Sequence, residues 1–248
     1  MLPLHDDNPT RIRPYVTWGL IAINAAVFVW QVSEGFLSDE LSILLRYGEI
    51  PVFIAEGENL YTMFTSMFLH GDISHIFSNM LFLWVFGDNV EDRFGHGKYL
   101  FLYLIFGVIA GLVHTTYSLW ISDPITISQC IMGYRFLLFP LPEPCIPAIG
   151  ASGAVSGILG AYFVFYPRAR VVTLVLFFLI RLIMIPAVAL LGFWFLWQIL
   201  QGLIGIGGNV AVWAHVGGFV AGFVVAKAAG VGSPTVYRPD VFDEDYYY

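Results

Sequence analysis

Residues 150–166 read GASGAVSGILGAYFVFY, and this stretch decides the class of fold. It opens on small residues, continues without a single charge, and closes on aromatics just before Pro167 and Arg168. Such a run can sit in lipid only as a helix, because every backbone amide must find its partner within the segment. The fifteen residues from Ser152 to Tyr166 span roughly 22 Å at 1.5 Å per residue. A hydrocarbon core is roughly 30 Å thick, so Ser152 is expected several ångströms beneath one membrane surface.

Working outward, the same pattern recurs. Of 248 residues, 58% are hydrophobic and 12% charged, with a mean hydropathy of +0.76. A soluble domain carries about twice that share of charge. Six spans are predicted: about Tyr15–Val32, Ser74–Phe86, Lys98–Trp120, Ser152–Tyr166, Pro186–Ile204 and Ala211–Ala229. The expected fold is therefore an all-α membrane protein, a bundle of six transmembrane helices. The apolar tract Val171–Ile185 is short, interrupted by Arg181 and stopped by Pro186, and reads as an interfacial segment leading into the fifth span. No internal repeat is visible, which weighs against repeat-built transporters.

Basic residues set the orientation. With the N-terminus inside, the inner segments hold Arg11, Arg13, Arg93, Lys98, Arg168, Arg170, Arg181, Lys227 and Arg238, and the outer loops only Arg46 and Arg135. Both ends are then cytoplasmic in a multi-pass protein of the cell membrane: a tail of residues 1–14, a domain of 15–229 and a tail of 230–248. The polar start, with three prolines before Tyr15, does not read as a cleavable signal peptide. Nothing basic and clustered suggests nucleic acid.

The first outer loop, about Ser33–Ile73, is loaded with Tyr47, Phe53, Tyr61, Met63, Phe64 and Phe68, and is expected to lie partly in the membrane interface. The second, about residues 121–149, is an insertion with five prolines and both cysteines. The fifteen-residue separation of Cys130 and Cys145 would allow a disulfide worth about 3 kcal/mol in the chain-entropy model. Two free buried thiols are the equal alternative.

Polar groups inside spans are costly and default to a functional reading. His75 and Asn79 lie four apart, on one face of the second helix. Gly150-Ala151-Ser152-Gly153 opens the fourth, and Ala214-His215-Val216-Gly217-Gly218 lies near the start of the sixth. All three helices begin at the outer side, so these groups share one depth. Gly153 and Gly157, Ser156 and Gly160, and the run Ala214, Gly218, Gly222 place small residues at four-residue spacing, which lets membrane helices approach closely. Packing through these stripes would bring Ser152 within reach of His215, as a serine nucleophile and its base require. Alone, each signal has a plain structural explanation: a helix cap and packing motif, or a histidine bonded to a carbonyl. The pair His70 and His75 makes a poor metal site, since five-residue spacing splits the two across faces and no carboxylate or thiol joins them.

On these residues the chain resembles the rhomboid proteases: Gly150-Ala151-Ser152-Gly153 followed by Gly157, the run His70, His75, Asn79, the motif Ala214-His215-x-x-Gly218-x-x-x-Gly222, and Glu91-x-Arg93 after the second helix. The resemblance covers about Pro14 to Ala229. It implies Ser152 as nucleophile, His215 as general base and then acid, and an oxyanion hole from the Ser152 N–H, His75 and Asn79. It implies no metal, no cofactor, and transmembrane-helix protein substrates cut near the outer leaflet. Ser156 departs from relatives that place there an aromatic ring stacked on the histidine; Trp213 or a first-loop aromatic is the expected substitute. The rival readings are a rhomboid-like binder of membrane helices without activity, and a small transporter. A transporter would need polar residues continuing inward, where the second and sixth spans are instead Leu, Phe, Val and Ala. Neither substrate identity nor oligomeric state is written in the chain.

Overall fold

The computed structural model describes residues 1–35, 40–132, 141–176, 180–206 and 211–230. The expected tail from residue 231 on and parts of both outer loops, Asp39 and Arg135 included, thus lie outside the described residues. Among the described residues six long helices form the body: α1 (Tyr15–Ser33), α2 (Ile73–Phe94), α3 (His96–Trp120), α4 (Ser152–Phe165), α5 (Ala187–Ile204) and α6 (Val212–Ala228). Among the described residues three of them, α1, α3 and α5, are long and apolar enough to cross a membrane, while α4 and α6 are apolar but shorter.

The centre is α4. From Gly153 to Tyr162 every residue is buried, as expected of a helix that is apolar all round. Glycine makes the contact with α6 close: a Cβ on Gly218 or Gly222 would collide with the carbonyl oxygens of Gly153 or Gly157. The α4 stripes divide their work in a way the spacing did not specify. The Cα positions of Gly153 and Gly157 face Ala110 and Phe106 of α3, whereas Gly160 meets the α6 backbone at Phe219.

The all-α expectation needs one correction. Leu2–Asp6 (β1), Arg170–Leu176 (β2) and Ile180–Pro186 (β3) form a three-stranded antiparallel sheet in the order β1-β2-β3. The tract 171–185, read as a single interfacial segment, is two strands. The start of β2 alternates in burial: Val171 and Thr173 are buried, Val172 and Leu174 half-buried. That period of two is a strand signal, masked in the sequence because apolar residues stand on both faces. Residues 1–14 are not a loose tail, because β1 supplies the sheet's third strand and Arg11 and Ile12 bind Asp92 at the end of α2. Those partners also explain why α2 runs to Phe94, eight residues past its expected end at Phe86: the acidic residues there are satisfied rather than solvated.

The outer loops are folded against the bundle. The first contains helices Glu40–Tyr47, Pro51–Ala55 and Thr62–Thr65 and buries Ile50, Val52, Met63, Met67 and Leu69. Cys130 and Cys145 form a disulfide that packs on Ile50 and Val52, tying the second loop to the first. Glu49 and Ala148 exchange both backbone hydrogen bonds, at 3.0 and 2.7 Å, just before the start of α4.

Candidate active site

The N-terminus of α4 is approached through Gly150, whose φ of +120° lies in a region that disfavours side chains. Its N–H donates to the Ser66 carbonyl at 2.9 Å. A Cβ here would stand 2.7 Å from His75 Nε2 and 3.6 Å from Ser152 Oγ, so glycine leaves the space those two groups share. Ser152 is the first residue of α4, where backbone N–H groups have no acceptor within the helix.

Across the α4–α6 seam, Ser152 Oγ lies 2.8 Å from His215 Nε2. His215 is buried, and its Nδ1 lies 2.9 Å from Gln198 Oε1 on α5. The indole of Trp194, one turn before Gln198, lies 5.9 Å from the imidazole at an interplanar angle of 32°. The expected support for the ring from Trp213 is corrected: Trp213 packs on Tyr117 and against Gly202. Ser156 instead returns its hydroxyl to the Ser152 carbonyl at 2.6 Å.

On α2, Asp72 caps the helix by accepting from the His75 N–H at 2.9 Å, which holds His75 at the first turn. The Gly71 N–H approaches His75 Nδ1 at 3.4 Å. An acceptor at Nδ1 leaves the ring proton on Nε2, the nitrogen facing Gly150 and Ser152. Asn79 follows one turn later, buried, and its Nδ2 has no partner among the described residues. His70 is fully buried with both ring nitrogens unpartnered among the described residues, its ring 5.1 Å from that of His75, edge to face. The two rings thus meet despite their sequence spacing, because His70 belongs to the loop before α2. Burial, reinforced by the neighbouring His75, pushes His70 down to about 3.

The sequence reading missed Gln198 and Trp194. A glutamine in an otherwise apolar span was the available signal. α5 runs against α4 and α6, so its C-terminal half, not its start, is what reaches the site.

The Rhomboid domain family matches residues 57–230. Among similar proteins are RHOMBOID-like protein 12, mitochondrial, of Arabidopsis thaliana, 33% identical over 82% of this chain and 55% of its own length. The Rhomboid protease GluP of Bacillus subtilis is 27% identical over 88% of this chain and 36% of its own length. The Rhomboid protease GlpG of Klebsiella pneumoniae is 30% identical over 49% of this chain and 42% of its own length. The chain thus spans about half, or less, of the length of these relatives. With a family match running from the first outer loop to the end of α6, the chain belongs to the rhomboid family.

Proposed function

We propose that the protein is an intramembrane serine endopeptidase that cleaves transmembrane segments near the outer leaflet. The observation that carries this reading is the 2.8 Å approach of Ser152 Oγ to His215 Nε2 between two helices. A hydroxyl is a weak nucleophile until a base takes its proton. His215 Nε2 accepts that proton as Oγ attacks the scissile carbonyl, then returns it to the leaving amine, and water releases the acyl group by the same relay in reverse. The Ser152 N–H, His75 Nε2–H and Asn79 Nδ2–H are the donors for the developing oxyanion. The unpartnered state of Asn79 Nδ2 among the described residues supports this role. Preorganised donors of this kind are worth about 3 to 4 kcal/mol each.

A helical substrate hides its carbonyls in its own hydrogen bonds, so segments with small or helix-breaking residues are the preferred substrates. The nine inner basic residues support cytoplasmic termini and six spans in a cell membrane, with the lipid bilayer and membrane-protein substrates as partners. Exposed Leu60, Tyr61 and Phe64 support insertion of the first outer loop into the interface. The test is fluorophosphonate labelling of purified protein: wild type labels, and Ser152→Ala and His215→Ala do not. Equal labelling of all three removes the proposal.

A further inference from the structure

We infer that Gln198 is a positioning residue that holds His215 in the tautomer a general base needs, with Trp194 steadying the ring face, so that the Ser–His pair works as a three-residue relay closed from α5. The inference rests on the serine-protease reading above and adds a neutral third member to it.

The chemistry is directional. An amide oxygen only accepts hydrogen bonds, so the 2.9 Å contact of Gln198 Oε1 requires the proton on His215 Nδ1. Nε2 then presents its lone pair to the Ser152 hydroxyl at 2.8 Å. The opposite tautomer would place a proton on Nε2, so that Nε2 donates to Oγ instead of accepting from it, and would leave Gln198 Oε1 facing a bare Nδ1 lone pair. Both side chains are buried, Gln198 with 7% and His215 with 9% of its surface exposed, so bulk water does not offer Nδ1 a substitute partner. Trp194 and Gln198 are four residues apart and share a face of α5, and together they meet the imidazole on its face and its edge. The imidazole is thus attached to α6 through its backbone, to α4 through Nε2 and to α5 through Nδ1.

Gln198 carries no charge, so its contribution is orientation rather than full stabilisation of an imidazolium. A carboxylate in its place would accept the same proton and in addition favour the charged ring. Three variants separate these effects: Gln198→Met keeps the unbranched length with only a weak sulfur acceptor, Gln198→Leu shortens the side chain and removes the acceptor, and Gln198→Glu keeps the acceptor and adds charge. Each is reconstituted full-length with wild type and Ser152→Ala. Cleavage of a transmembrane substrate is followed across pH, and thermal unfolding alongside.

Misorientation of a reacting group by about 1 Å costs about 10²-fold in rate. Gln198→Met and Gln198→Leu should therefore lose about 10²-fold in kcat with KM and melting temperature close to wild type. Gln198→Glu should recover most of the rate and move the acid limb of the kcat/KM profile to higher pH. Met or Leu variants within twofold of wild type at every pH overturn the inference. So does a Glu variant as slow as Leu with an unmoved acid limb, since that pattern means packing alone. If Ser152→Ala still cleaves, the protease reading itself falls; if it is dead while Gln198→Leu is unimpaired, only the role of Gln198 does.

Discussion

The two ends of the bundle both bury polar side chains, but they treat them in opposite ways. At the inner end Glu91 is saturated: it accepts from the Val16 N–H at 2.9 Å, the Thr17 N–H at 2.8 Å, the Thr17 hydroxyl at 2.7 Å, and pairs with His96. Asp6 of β1 likewise accepts from Tyr162 of α4 and from Asn89 of α2. At the outer end Asn79 Nδ2 and both His70 nitrogens have no partner among the described residues. A saturated buried group holds elements together; an unsatisfied one costs stability of order 1–3 kcal/mol and persists where it has another use. The inner end fastens α1, α2, α4 and the sheet, and the outer end keeps the unpartnered donor that the proposed mechanism assigns to the reacting carbonyl.

The sharpest way to break this contrast is Ser152→Ala or His215→Ala. Either should lower substrate cleavage by about 10⁴-fold or more with an unchanged melting temperature. A variant retaining a tenth of the activity would empty the outer site of its assigned chemistry. Asn79→Ala comes next, with an expected loss of about 10²- to 10³-fold in kcat and little change in unfolding. Glu91→Ala should do the reverse. It strands the Val16 and Thr17 amides, and denaturation should show a loss of about 3 kcal/mol while turnover per folded molecule persists. If Glu91→Ala abolishes turnover in folded protein, the division between a holding end and a reacting end is wrong.

A smaller effect concerns pH at the outer rim. Burial pushes the Glu49 carboxyl from its ordinary 4.5 up to about 7, against the opposing hydrogen bond from Thr115 at 3.1 Å. Between those values the folded chain keeps a proton that the unfolded chain releases, so stability is highest in acid and falls as pH rises through that window, by at most roughly 3 kcal/mol. Glu49→Gln should flatten this dependence in thermal unfolding measured from pH 4 to 8. Because Glu49 pairs with Ala148 just ahead of Gly150, the same substitution tests whether loosening the rim disturbs the site; a pH profile of stability matching wild type would refute the Glu49 assignment.

Much of the molecule was legible in the chain. The long helices begin and end within a few residues of expectation, α2 excepted, because hydrophobic continuity is a property of sequence order. Ser152 and His215 were legible as neighbours because their depth follows from helix length and direction, and because glycines at four-residue spacing announce a close seam. The sheet was less so: Val171–Ile185 is apolar but for Thr173 and Arg181, and the alternation in burial from Val171 to Leu174 emerges only when one face is covered by the bundle.

What the sequence determined by itself is the bundle's makeup and the shared level of Ser152, His215 and His75 along its helices, since both follow from one-dimensional runs of residues. What only the tertiary structure decided is which side chain completes the site. Gln198 and Trp194 lie on a helix that reaches the histidine from the opposite direction, and the Cα positions of Gly153 and Gly157 face α3 while their carbonyls meet α6. The azimuth of a helix about its own axis is set by all its neighbours at once, and no local run of residues encodes it.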